Sequence, residues 1–74
     1  MQIIIDGLLY DTENSTVIHR EDNGRILYQG TNGNYFMFYP TGEIIPKTEE
    51  STKSYLGRYN VTKYIELFGE PQEA

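Results

Sequence analysis

The side chains able to do chemistry are few and lie apart along the chain. There is one histidine, His19, and no cysteine, which rules out a thiolate nucleophile, a disulfide framework and a thiolate zinc site. Nucleophilic catalysis by serine needs a base beside the hydroxyl, and no nucleophile motif stands near His19. His19 therefore reads as a surface or edge residue of a strand. One histidine with scattered carboxylates does not make a tetrahedral metal site. The stretch Asp11 to Asn14 is too short for a calcium loop of about twelve residues. No metal and no cofactor is expected.

Two carboxylate pairs, Asp11 with Glu13 and Glu49 with Glu50, have the composition for acid and base work. Adjacent helical positions point in different directions, so attraction to a helix N-terminus explains Glu49 and Glu50 better. A chain of 74 residues rarely encloses the cleft of roughly 300 Å³ that a substrate needs. The glycines are spread among the turns and form neither GxGxxG nor GxxxxGK[ST], so a phosphate cradle is missing too. The expectation is that the protein is not an enzyme. A pocket holding a carboxylate with a raised pKa is the feature that would reverse it.

Charge narrows the partners. Six Lys and Arg against eleven Asp and Glu leave a formal net charge of −5, which repels both a phosphate backbone and an anionic membrane surface. Direct nucleic-acid binding is not expected, although Gly33-Asn34-Tyr35-Phe36-Met37-Phe38-Tyr39 has a faint likeness to the aromatic strand of an RNA-recognition sheet. It lacks the basic lead residue and the second glycine, so core packing is the better reading. No apolar run approaches the roughly 20 residues of a membrane span, and no basic stretch precedes an apolar one. The expected location is the cytoplasm of a host cell. The sequons Asn14-Ser15-Thr16 and Asn60-Val61-Thr62 read as turn or cap residues.

The elements that must position these groups are marked by turns. Residues 1–74 are read as one small domain, since that length is near the lower limit for burying a single core. Seven Tyr and three Phe supply much of its apolar area. Asp6-Gly7 between Ile3-Ile4-Ile5 and Leu8-Leu9-Tyr10 predicts a tight hairpin, and Asn23-Gly24 and Asn32-Gly33 predict two more. The run Tyr35 to Tyr39 predicts a central strand covered on both faces, and Pro46 places the last strand at an edge. Thr48 is placed as the cap of a helix from Glu49 to Tyr59 whose stripe is Thr52, Tyr55, Leu56 and Tyr59. Asn60 ends it, Thr62 caps a second helix, Gly69 and Pro71 stop that, and residues 70–74 fray. The fold class is thus α+β, a small antiparallel meander of about four to five strands followed by one or two short C-terminal helices. No internal repeat is expected.

The motifs Leu9-Tyr10-Asp11-Thr12-Glu13, Leu27-Tyr28, Gly33-Asn34-Tyr35-Phe36, Ile45-Pro46-Lys47-Thr48-Glu49-Glu50 and Phe68-Gly69-Glu70 span the chain nearly end to end. In them the sequence resembles small uncharacterised proteins carried by phages, prophages and plasmids of Gram-positive bacteria. It departs from that pattern at Gln29, where a basic residue is common, and at Ser54-Tyr55, where Glu-Trp is common. The resemblance implies a small accessory protein that binds and blocks a host protein, such as a nucleic-acid-handling defence enzyme. Anti-CRISPR proteins are similar in size and charge. It implies no catalytic residues.

Three readings follow. The first is a protein-binding module that occupies a basic surface of a host or phage protein through acidic turns at Asp11, Glu13, Glu21 and Asp22, with Tyr28, Tyr35 and Tyr39 as partly exposed anchors. The second is a small structural or accessory homodimer that pairs sheet edges or helices to complete a thin core. An enzyme ranks third.

Overall fold

The computed structural model describes residues Met1–Ala74. Six strands precede two helices: β1 (Gln2–Ile5), β2 (Leu8–Asp11), β3 (Thr16–Arg20), β4 (Ile26–Gln29), β5 (Tyr35–Phe38), β6 (Ile44–Lys47), α1 (Glu49–Tyr59) and α2 (Val61–Phe68). The class is α+β, and the strands form an antiparallel meander that precedes the two C-terminal helices, as expected. They divide into a two-stranded sheet, β1-β2, and a four-stranded antiparallel sheet in the order β3-β4-β5-β6.

Turn chemistry explains both sheets. Asp6 and Gly7 have φ values of 50° and 78°, the paired positive angles of a two-residue hairpin, which leave Ile5 facing Leu8. In the larger sheet Gly24, Gly33 and Gly42, nine residues apart, have φ between 89° and 95°. Each glycine N–H donates to the carbonyl three residues before it, at Glu21, Gly30 and Tyr39. Each of those three residues in turn donates its N–H to the carbonyl just after the glycine, at Arg25, Asn34 and Glu43. Residues 21–47 are therefore three nine-residue turn-and-strand units, contrary to the expectation of no repeat. The side chains differ so much between units that only the glycine spacing carries the period.

The two faces of the larger sheet have different covers. Ile18, Leu27, Tyr35 and Met37 pack with Leu56 under the helices, joined by Tyr64, Leu67 and Phe68. On the other face Tyr28, Phe36 and Ile44 pack with Tyr10, so the β1-β2 hairpin lies across the sheet. β5 is central and covered on both faces, as its unbroken apolar run predicts, and β6 with Pro46 is an edge. The register of β3 on β4 shifts between Val17 and His19. This irregularity lets Ile18 and His19 both face the helices, since His19 meets Tyr55 and Asn60 while Ile18 joins the helix-side cluster.

Thr48 caps α1 by accepting the Ser51 N–H at 3.0 Å. Asn60, and not Thr62, caps α2, accepting the Lys63 N–H at 3.1 Å while its own N–H donates to the Leu56 carbonyl. One residue thus ends one helix and starts the next. Of the expected α1 stripe, Thr52 and Leu56 are buried and Tyr55 is half-buried, but Tyr59 is 57 % exposed beyond the sheet. No helix is long and apolar enough to cross a membrane.

Candidate functional site

The residues expected to bind a partner fall into three settings. Asp11 is buried, contrary to its expected place on the surface. Its carboxylate accepts from the Gln2 amide at 3.0 Å, from the Asn14 amide at 2.6 Å and from the Glu13 N–H at 3.0 Å. Its own carbonyl accepts from the Ser15 hydroxyl. Hydrogen bonds from Gln2 and Asn14 hold the Asp11 pKa below the usual carboxylate range. Ser15 stands where the later turns carry glycine, and Asp11 closes this turn with side-chain acceptors instead of a left-handed backbone. Glu13, on the same turn, is exposed.

The second setting is the β3-β4 turn. Asp22 is exposed there, while Glu21 is held from two sides. Arg25 donates to Glu21 Oε1 at 2.7 Å, and the Tyr55 hydroxyl donates to Oε2. Burial pushes the Glu21 carboxyl up, but the bonds from Arg25 and Tyr55 outweigh it and the pKa falls. Burial, reinforced by the Glu21 bond and charge, pushes Tyr55 well above the usual phenol. A base poised near neutrality needs a raised carboxylate, and an activated phenol needs a lowered one. Glu21 and Tyr55 are shifted the opposite way, so the cluster acts as a clamp from α1 to the sheet. His19 completes it, its Nδ1 lying 3.1 Å from the Asn60 amide and its ring against Tyr55.

The third setting is the tyrosines. Tyr28 and Tyr35, expected as partly exposed anchors, are 8 % and 7 % exposed. Tyr28 stacks on Phe36 with centroids 5.1 Å apart, and Tyr35 packs beneath Phe68. Each ring sits on a strand with a covered face on both sides, so burial wins over display. Tyr39 is half-buried, with the Arg25 guanidinium 5.9 Å from its ring centroid.

The four acidic positions do not converge on one patch. Asp11 and Glu13 precede β3 and Glu21 and Asp22 follow it, so the five residues of β3 hold the pairs roughly 17 Å apart. An open depression lies beside each: one of about 400 Å³ lined by Asp11, Asn14, Ser15 and the Gly30–Asn32 turn, and one of about 440 Å³ lined by residues 19–23. No group of three or more His, Cys, Asp or Glu side chains is placed to hold a metal ion.

No family model, curated protein or solved structure matches the chain. The likeness to phage- and plasmid-borne proteins therefore rests on the quoted motifs alone.

Sequence reasoning missed the surface that stands out most in three dimensions. Ile4 is 71 % exposed and Leu9 55 %, and Ile3 and Leu8 on the other hairpin face are about two-fifths exposed. The signal was present in Ile3-Ile4-Ile5 and Leu8-Leu9-Tyr10. A hairpin apolar on both faces can cover only one of them against its own sheet.

The carboxylate environments fix the pH response. Asp11 and Glu21 have folded pKa values below their unfolded ones, so their stabilisation is present above the unfolded value and disappears as pH falls through the folded value. Tm is expected to be level near neutrality and to drop below about pH 4. Asp11→Asn with Glu21→Gln should flatten that acid limb in a Tm series against pH. An unaltered limb would mean that these two carboxylates do not control it.

Proposed function

We propose that the chain is a non-enzymatic protein-binding module that occupies a basic surface on a host or phage protein. The observation that carries this reading is the charge distribution. Of eleven acidic residues, only Glu21 and Glu66 form ion pairs. Glu13, Asp22, Glu43, Glu49 and Glu50 are exposed at the turns and at the start of α1. Such a surface steers the protein towards a cationic groove, with an association rate that falls as salt rises. Asp11, Glu21, Tyr28 and Tyr35 act within the fold, and Glu13, Asp22 and the half-buried Tyr39 are the expected binding residues left to meet a partner. The motif resemblance adds the biological setting, a mobile element whose small proteins block host enzymes.

Affinity capture from a Gram-positive host lysate at low and at moderate salt tests the proposal. One basic partner, released at moderate salt, is the expected result. Recovery of the protein alone under both conditions would defeat it. With the partner in hand, Glu13→Lys and Asp22→Lys should each weaken binding by a factor of about 2 to 5, mainly through the association rate, with Tm unchanged. Equal affinities would remove these residues from the interface.

A further inference from the structure

The four strand edges of this protein, β3 and β6 of the larger sheet and β1 and β2 of the hairpin, are not alike. β3 carries an irregularity between Val17 and His19 and ends on Arg20, while β6 carries Pro46 and Lys47. Bulges, proline and basic side chains are the devices that keep sheet edges from pairing with other chains. β1 has none of them. Its sequence is Gln-Ile-Ile-Ile, without charge, proline or bulge.

Hydrogen-bond alternation shows which of its groups are free. Thr12 donates its N–H to the Met1 carbonyl at 3.1 Å, so Met1 faces Thr12 in a bonded pair. In an antiparallel ladder bonded and non-bonded pairs alternate. Ile3 with Tyr10 and Ile5 with Leu8 are therefore the bonded pairs, and Gln2 and Ile4 turn their N–H and C=O groups away from β2. No other segment of the chain bonds to them. The far edge, β2, is partly closed, because the Asp11 carbonyl accepts from Ser15.

We infer that β1 pairs with β1 of a second copy, antiparallel about a two-fold axis through Ile4, to give a four-stranded intermolecular sheet β2-β1-β1-β2. A two-fold axis normal to the sheet keeps each side chain on its own face, so residues of equal parity must pair. Centring on Ile4 makes Ile4 with Ile4 of the other copy a bonded pair, sets Gln2 beside the turn residue Asp6, and brings the most exposed apolar side chain of each copy side by side. Centring on Ile3 sets Ile4 opposite Gln2 instead and leaves that apolar contact unmade. In the chosen register Leu9, Ile4, Ile4 and Leu9 form one apolar row across the outer face, and Ile3 meets Ile5 on the inner face. Electrostatics favour a like copy at this edge alone. β1 is uncharged although the chain carries −5. Asp6, the single charged side chain of residues 1–10, falls beside a glutamine amide and away from any carboxylate. A basic partner gains nothing from such an edge.

Sedimentation of the whole chain over a concentration series tests this. A dimer mass is expected for the unsubstituted protein and for Ile45→Lys on the guarded strand β6. Ile4→Lys and Ile4→Glu, at a position already exposed, should each lose the dimer, because like charges then face each other across the axis. An equimolar mixture of the two should regain it as a mixed dimer, which native mass measurement would resolve. In the unsubstituted protein, exchange of the Gln2 and Ile4 amide protons should slow as concentration rises, a readout that needs no variant. A monomer at every concentration, or a dimer that survives Ile4→Lys, would overturn the inference. Both results are independent of whether a basic partner is captured.

Discussion

Phe36→Ala should lower stability by about 3–5 kcal/mol and reduce Tm by more than about 10 °C. Phe36 is 1 % exposed at the centre of β5. Its ring stacks on Tyr28 at 5.1 Å and meets the edge of Tyr10 at 5.3 Å, so it is a central contact between the hairpin and the larger sheet, within a cluster that includes Ile44. Truncation removes both aromatic pairs, each contributing about 0.5–1.5 kcal/mol beyond area, and leaves a cavity that two rigid neighbouring strands close poorly. A domain of 74 residues has a total stability of roughly 4–11 kcal/mol, so the loss approaches the whole. Urea unfolding measures it. An isolated two-stranded hairpin is marginal in water, so amide exchange in β1 and β2 should accelerate before exchange in β4. A change under about 1 kcal/mol, with hairpin exchange unaltered, would show that Tyr10 does not depend on Phe36.

Leu56→Ala is expected to lower stability by about 2–5 kcal/mol through the opposite face. Leu56 is fully buried where α1 meets Ile18, Leu27 and Met37. The position also controls α2, which has no fully buried residue and follows α1 directly through Asn60. Losing the Leu56 anchor therefore loosens both helices, and the helical circular-dichroism signal and the sheet should be lost in one cooperative step. Tyr59→Ala, three residues on and 57 % exposed, should stay within about 0.5 kcal/mol. Equal effects from the two substitutions would contradict the orientation of α1. The pair also separates stability from association, because neither side chain lies on the β1 edge.

Much of the local structure was legible because it depends on neighbours in sequence. Asp6-Gly7, Asn23-Gly24 and Asn32-Gly33 marked hairpins because positive φ is tolerated there. Thr48 with Glu49 and Glu50 marked the start of α1, and Gly69 its successor's end, for equally local reasons. Sequence alone makes Asn60 a stop and Thr62 the next cap, because nothing local says that one side chain will serve both helices. The candidate site was far less legible. The charge of Asp11 predicts a surface position, yet its acceptors are filled by Gln2, Glu13 and Asn14, a set that includes a residue nine positions away. Tyr28 and Tyr35 have a residue type that suits both a core and an interface, so sequence alone does not separate the two.

The sequence by itself determined the class, the turn positions, the helix limits and the acidic, cysteine-free chemistry, all of which follow from backbone preference and composition within a few residues. The tertiary structure decided that the first hairpin leaves the sheet and crosses its outer face, and hence which rings are core and which edge is open. Alternation along a strand says which side chains share a face. What covers that face depends on contacts between segments distant in the chain: Tyr10 on Phe36, Tyr55 on Glu21 and Asn60 on His19.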